Sequence, residues 1–287
     1  MDYTEKELNF LLANHQKFGL KVISDKLGRS LTALETKMKR LGIKASRKCN
    51  ATKEELENLQ FKREDGFKIN FQTHEYPKHL AYWLGYFWAD GYIDSKNGLR
   101  IECVTKDLQN VEHIFDKVAK FHKYHRIRPN RQPQSQFYIC DKVASNLLRS
   151  LGKYTKSSES HQKIIEFIPE QYRNYFIRGF IDGDGCYYHV KKSKTIVFSI
   201  CGNYSQDWTY IQKYFLDNFQ LKTRIIQRTN EENKHSELLS YSINNLKRFV
   251  NYIYADNDGI WLQRKYDKIK HLLDTKTGEF ILLSPEN

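Results

Sequence analysis

A chain of 287 residues with 40% hydrophobic and 14% aromatic side chains is long enough for one large domain or two modest ones, and too apolar to be disordered. Lys and Arg outnumber Asp and Glu by 47 to 34, and the net charge of +13 suggests a polyphosphate partner, because basic contacts release condensed counterions. The sequence has no apolar run long enough to span a membrane, its polar first residues exclude a signal peptide, and Cys49, Cys103, Cys140, Cys186 and Cys201 are too widely spaced for a disulfide frame or a zinc ribbon. The expected setting is a reducing cytoplasm or an organelle matrix, with no secretion.

Residues 4–43 read as three short helices. Thr4 caps the first, Glu7 completes a capping box, and Leu8, Leu11 and Leu12 mark its buried face. A turn at Gly19 leads into Leu20–Leu27, Gly28-Arg29-Ser30 breaks that helix, and Ser30 caps a third, Leu31–Leu41, which stops at Gly42. On the last helix Leu34, Met38 and Leu41 are expected inside, and Thr32, Thr36, Lys37, Lys39 and Arg40 outside. Two short helices around a glycine-containing turn suit a helix-turn-helix, with Arg29, Ser30, Thr32, Lys37 and Arg40 as candidate DNA contacts. The expected module spans residues 1–48, and the polar stretch 49–78, with one helix near 52–61, reads as a linker.

The rest of the chain repeats itself. LAYWLGYFWADGYI (Leu80–Ile93) returns as NYFIRGFIDGDGCY (Asn174–Tyr187), each an apolar helix with a mid-helix glycine (Gly85, Gly179), a small residue (Ala89, Gly183) and Asp-Gly. The aspartates are 184 − 90 = 94 residues apart, and the amphipathic helices that follow are 97 apart, so the second copy should carry a hairpin three residues longer. Each copy, 79–168 and 169–287, reads as helix-strand-strand-helix-strand-strand-helix. The predicted fold class is α+β, with two pseudo-symmetric αββαββα units of four antiparallel strands behind a small all-α domain. The two motif helices should pack at the centre, since helices apolar on all sides require burial and Gly85 and Gly179 allow close approach.

Asp90 and Asp184 stand at helix C-termini, ahead of Gly91 and Gly185 as C′ residues. The helix dipole is negative there and disfavours a carboxylate. Two equivalent carboxylates brought together call for a counter-charge, and a hard divalent cation with carboxylate and carbonyl ligands supplies one. Such an ion can activate water and stabilise the leaving oxygen of a phosphodiester.

The doubled motif resembles the paired signature of the LAGLIDADG homing endonucleases in their single-chain form, over about 200 residues from His79 to Leu273. The resemblance implies two sheets forming a saddle on the DNA major groove, a monomer with internal pseudo-two-fold symmetry, and double-strand cleavage of a long target. It implies Mg²⁺ as cofactor, with Mn²⁺ as a substitute and Ca²⁺ binding without cleavage. Asp90 and Asp184 match the catalytic, metal-binding acids, and the carbonyls of Ala89 and Gly183 the backbone ligands. Thr105 and Asn203 are loose counterparts of a polar group near the metal, and the basic residue expected there has no clear match. Residues 3–43 also resemble the Myb/SANT-like modules that begin some mobile-element proteins. The resemblance implies a mobile element whose gene lies in an intron or stands free, and an RNA-splicing maturase with intron RNA as partner, or a silent DNA-binding regulator, is the alternative on the same fold.

Strand alternation gives the groove-facing candidates. In the first copy Leu99, Ile101 and Cys103 should point to the core, leaving Arg100 and Glu102 outward with Arg126, Arg128, Gln134 and Gln136. In the second, Ile196, Phe198 and Ile200 should point inward, leaving Thr195, Val197 and Ser199 on the groove side with Lys192, Arg224 and Arg228.

Overall fold

The structure is a computed structural model that describes residues 3–44, 46, 48–59, 67, 69–126, 132–153, 160–190, 195–230, 233–254 and 256–273. It divides into two compact units, one comprising 1–68, 93–99 and 139–147, the other 69–92, 100–138 and 148–287. No helix among the described residues is long and apolar enough to cross a membrane.

The first unit is mostly helical. Helix α1 (Glu5–Leu27) opens with the Thr4–Glu7 capping box and is broken at Gly19, whose φ of 69° and ψ of 156° are non-helical. Gly28, at φ 63°, turns the chain into α2 (Leu31–Arg40), capped by the Ser30 hydroxyl. Leu11, Phe18, Leu20, Ile23, Leu27, Leu34 and Met38 form the core. Leu12 and Leu41 were expected inside but are 41% and 42% exposed. The buried stripe of α1 runs Leu11, His15, Phe18, which turns Leu12 outward, and Leu41 lies beyond the last turn of α2, where Ile43 packs instead. The stretch after α2 folds back: Ser46 O accepts from Leu20 N at 3.1 Å, Lys17 O accepts from Asn50 N at 2.8 Å, and α3 (Lys53–Asn58) delivers Leu56 and Leu59 to the core. Segments 93–99 and 139–147 complete this unit, where Lys142 pairs with Asp25 and the Ser145 hydroxyl donates to Asn97 O at 2.8 Å.

The two repeats have the predicted order. The first runs α4 (Pro77–Asp90), β1 (Gly91–Ile93), β2 (Gly98–Val104), α5 (Thr105–Asp116), β3 (His122–Arg126), β4 (Gln134–Cys140) and α6 (Lys142–Ser150). After α7 (Gln162–Phe167), the second runs α8 (Arg173–Asp184), β5 (Gly185–Val190), β6 (Thr195–Asn203), α9 (Thr209–Phe219), β7 (Arg224–Asn230), β8 (Asn233–Ser240) and α10 (Ile243–Ile253), then α11 (Gln263–Ile269). The strands form two four-stranded sheets of equivalent order, β1-β2-β4-β3 and β5-β6-β8-β7. The three-residue offset lies in the first strand of each hairpin, six residues in β5 against three in β1. Leu99, Ile101 and Cys103 on β2, and Ile196, Phe198 and Ile200 on β6, are buried as the alternation requires.

Helices α4 and α8 are packed backbone to backbone. A Cβ on Gly85 would lie 1.9 Å from Phe176 O, and one on Gly179 would lie 2.0 Å from Tyr82 O. Phe176 and Tyr82 each stand three residues before the opposite glycine, so the contact obeys the two-fold relation of the repeats. Their side chains are buried from Leu80 to Ala89 and from Tyr175 to Asp182, as expected for helices without a polar face. Gly91 and Gly185 do not adopt the left-handed C′ conformation expected of them; their φ values are −86° and −81°. Glycine is needed there for space, because a Cβ would fall 2.4 Å from Phe87 O at Gly91 and 2.6 Å from Ile181 O at Gly185.

Such contacts leave no room for a methyl group. Gly85→Ala and Gly179→Ala should each cost ~3 kcal/mol or more in urea-unfolding free energy, at the upper end of overpacking penalties. A loss below ~1 kcal/mol in either would show that the helices are not held this close.

Candidate functional site

The two-fold contact continues to the helix ends. A Cβ on Gly183 would lie 2.3 Å from the Ala89 Cβ and 3.4 Å from Asp90 Oδ2. The Asp90 carboxylate therefore lies against the residue that precedes Asp184, and both aspartates are half-buried. The four predicted metal-site residues, Ala89, Asp90, Gly183 and Asp184, are thus together at the crossing. Among the described residues no three His, Cys, Asp or Glu side chains cluster as a metal site. The donors at the crossing are two carboxylates and helix-end carbonyls, all hard oxygens, which suits Mg²⁺, Ca²⁺ or Mn²⁺ completed by water rather than a softer ion.

Sequence reasoning found no basic residue here, but the structure brings one in from 81 positions downstream (265 − 184). Lys265, on α11, is 4% exposed, and its Nζ donates to the carbonyls of Ile181 at 2.8 Å, Asp182 at 2.6 Å and Gly183 at 3.0 Å. These are last-turn carbonyls of α8, where intrahelical donors run out; the Ile181 carbonyl also accepts from the C-cap Gly185 N. Burial lowers the Lys265 pKa, and Asp182, Asp90 and Asp184 pull it back up. At the equivalent end of α4, the fully buried Lys153 donates to Trp88 O at 2.5 Å. No motif marks either lysine, since their partners are main-chain oxygens.

Positions 88 and 182 are equivalent in the repeats yet do different work. Trp88 packs beside His161, whose pKa is pushed down to about 3 by burial and by Lys153. Asp182, 1% exposed, accepts from the Tyr82 hydroxyl at 2.8 Å and from Leu262 N at 2.7 Å, both on Oδ2. Burial pushes its carboxyl up to about 6, against the opposing pull of Lys265. Leu262 belongs to a strap, residues 256–269, that crosses the motif helices. The buried Arg178 fixes the strap by donating to Ile253 O, Asp258 and Ile260 O at 2.6, 3.0 and 3.0 Å. Arg264, one residue before Lys265, binds the buried Asp107 of the first repeat at 2.8 Å, so the strap ties the second repeat to the first.

On the first sheet, Arg100 Nη1 donates to Gln136 Oε1 at 3.1 Å, and Gln136 Nε2 donates to Glu102 Oε1 at 3.0 Å. The Arg100 guanidinium also covers Tyr138 at 4.1 Å. These predicted residues do share a face, but Gln136 is 2% exposed, held inside the network rather than presented. Gln134 is half-buried and pairs in register with Arg126 on edge strand β3. On the second sheet Arg224 and Arg228 are exposed on edge strand β7, and Arg228 reaches Glu237 at 3.4 Å. Thr195 begins β6 opposite Val190. Val197 and Ser199 were expected to face the groove but are 0% and 5% exposed. Their strand is central, with larger residues opposite them in register, Tyr188 against Val197 and Leu239 against Ser199. Arg128 and Lys192 lie outside the described residues.

In the helical unit, Ser30, Thr32 and Arg40 are exposed and Lys37 is half-buried, with its ammonium 5.7 Å from the Tyr3 ring centre. Arg29 is not presented outward as expected. Its Nε and Nη2 donate to Glu7 at 2.9 and 2.8 Å, Tyr3 lies under the guanidinium at 4.8 Å, and the side chain is 10% exposed. A bidentate, nearly buried pair of this kind joins the start of α1 to the turn before α2.

Residues 171–254 match the family model of the LAGLIDADG-like domain. The chain carries a LAGLIDADG-like domain. That match covers the second repeat, and the first reproduces its element order and motif 94 residues earlier (184 − 90). Among curated proteins, the chain is 24% identical over 209 residues to the replication factor C small subunit of Methanocaldococcus jannaschii; the match spans 71% of this chain but only 11% of that protein. Among solved structures, the chain is similar to homing endonuclease I-WcaI bound to its DNA recognition sequence (13% identity, 67% of this chain and 85% of that one, TM-score 0.46). It is also similar to I-DmoI in complex with DNA and Ca (15% identity, 68% and 97%, TM-score 0.45), and to full-length DUF199/WhiA from Thermatoga maritima (16% identity, 73% and 63%, TM-score 0.41).

Because burial raises the Asp182 pKa, ionisation costs folding free energy, and that cost grows as pH rises from the unfolded carboxylate pKa through about 6. Asp182→Asn keeps an acceptor at Oδ and removes the cost. Relative to wild type, this variant should gain more than ~1 kcal/mol of stability between pH 4 and pH 8. Parallel urea curves at the two pH values measure it, and a variant that fails to gain on wild type as pH rises would refute the assignment.

Proposed function

We propose that the protein is a site-specific endodeoxyribonuclease that breaks both strands of a long DNA target, a homing endonuclease in function as well as fold. The observation that carries this reading is the placement of Asp90 against Gly183, with Asp184 next in sequence, at the crossing of two symmetric helices. Two carboxylates related by a two-fold relation suit a substrate whose two scissile strands have the same relation. A divalent cation bound to them, Mg²⁺ in the proposed enzyme, would supply water activation and charge neutralisation at the leaving oxygen. Asp90 and Asp184 would hold the reacting groups in line, and the Ala89 and Gly183 carbonyls would complete the ligand set. The buried walls of α4 and α8 fix this spacing, so little reorganisation is needed as charge develops. Arg100 and Glu102, with Arg224 and Arg228, would meet DNA on the two sheets. The helical unit would add contacts through Ser30, Thr32, Lys37 and Arg40, with Arg29 acting as a clamp behind them.

The test is incubation of the protein with genomic DNA in Mg²⁺ or in EDTA, followed by sequencing of new ends. Metal-dependent ends at a defined site are expected. Asp184→Asn should lower cleavage at that site by more than ~10³-fold while leaving affinity within a few-fold, as for a group acting in the transition state. Binding without cleavage by wild type would instead favour a regulator, and cleavage by the variant would refute the role of the pair. For the helical unit, Arg40→Ala should reduce the slope of log affinity against log salt by ~1, the signature of one lost phosphate contact. An unchanged slope would remove Arg40 from the interface.

A further inference from the structure

We propose that Lys265 is a built-in counter-cation of the Asp90–Asp184 pair, which stabilises the crossing in the metal-free protein and weakens its affinity for divalent metal. The inference rests on the reading of the two aspartates as metal ligands and adds a determinant of how tightly they bind.

Three observations carry it. First, an ammonium has three protons, and Lys265 gives three hydrogen bonds to the carbonyls of Ile181, Asp182 and Gly183, so its donors are all used. It acts as a fixed charge and has no proton left for a substrate oxygen. Second, it cannot swing away. Ahead of the lysine Leu262 is bonded to Asp182, Arg264 to Asp107, and Ile260 and Asp258 to Arg178, and beyond it Lys268 Nζ donates to Tyr187 O at 3.3 Å, so the strap is anchored on both sides. Third, the charge stands where it is needed. The C-terminus of α8 carries the negative end of the helix dipole, Asp184 is its last residue, and after the buried Asp182 it is Asp90 and Asp184 that act electrostatically on Lys265. The Gly183 carbonyl, one of the proposed metal ligands, is the oxygen that Lys265 holds at 3.0 Å. A divalent cation on that oxygen would have to share it with an ammonium, which disfavours metal by like-charge repulsion. The free protein therefore tolerates its two carboxylates without metal, and metal affinity is held low until a polyanionic substrate adds negative charge.

The experiment uses the full chain and Ca²⁺ alone, read by thermal unfolding in EDTA and across a CaCl₂ titration at constant ionic strength. Lys265→Gln keeps a donor on the carbonyls and removes the charge. It should melt ~5 °C or more below wild type in EDTA. It should then regain stability with Ca²⁺ at a midpoint at least ~10-fold lower than wild type requires. Lys265→Arg should behave as wild type, and adding Asp184→Asn to Lys265→Gln should abolish the Ca²⁺ response. Should Lys265→Gln fail to fold in EDTA, folding must be recovered by Ca²⁺ and not by Na⁺; failure in both overturns the proposal. Equal Ca²⁺ midpoints in wild type and Lys265→Gln overturn it too, while leaving the metal role of the aspartates intact. No Ca²⁺ response in any variant would overturn both.

Discussion

The structure depends on one steric constraint: two helices must cross with their main chains in contact. Gly85 and Gly179 leave room for only a hydrogen where a carbonyl of the opposite helix comes closest. Helices that approach this closely gain dispersion contacts along their whole length, and here the apolar residues from Leu80 to Ala89 and from Tyr175 to Ile181 are buried as a result. The same geometry forces an electrostatic problem. Two helix C-termini, each with unsatisfied carbonyls and each ending in an aspartate, converge at one point.

The molecule meets that problem with protein charges. Lys265 and Lys153 put ammonium groups on the main-chain oxygens at the ends of α8 and α4. Read from the sequence alone, the paired aspartates require a metal for charge balance. In the structure that requirement is partly met by the chain, and what suits the crossing to a metal is the chemistry of its donors, half-buried and all oxygen. Burying a lysine is costly unless every proton finds an acceptor and opposite charge is near. The helix ends supply both, and the cost of one arrangement offsets that of the other.

How much of this was legible follows from the range of the interactions. The repeat, the strand alternation of Leu99–Cys103 and the capping box at Thr4 depend on neighbours within a few residues or on a doubled motif, and a sequence displays such patterns directly. The close approach at Gly85 and Gly179 was readable because glycine has few other reasons to stand mid-helix in an apolar run. Lys265 was not readable, since a side chain that binds backbone carbonyls leaves no partner residue to notice. Arg29 misled because its partner Glu7 lies 22 positions away, and a turn arginine otherwise resembles a phosphate contact. Val197 and Ser199 misled because alternation assigns a side to each residue, whereas exposure on a central strand also depends on the size of its neighbours.

Fusion of the repeats into one chain frees equivalent positions to diverge, and positions 88 and 182 show what that permits. In a dimer of identical subunits both would carry the same residue, and a buried carboxylate at each would place two more negative charges beside the aspartates. Here one position is Trp88, which fills space against His161 and lends its carbonyl to Lys153. The other is Asp182, which anchors the strap that delivers Lys265. One buried carboxylate thus pairs with a buried lysine on one side only, and the strap also reaches the first repeat through Arg264 and Asp107. The symmetry of the main chain fixes where the two aspartates stand, and the asymmetry of the side chains around them decides the charge that they feel.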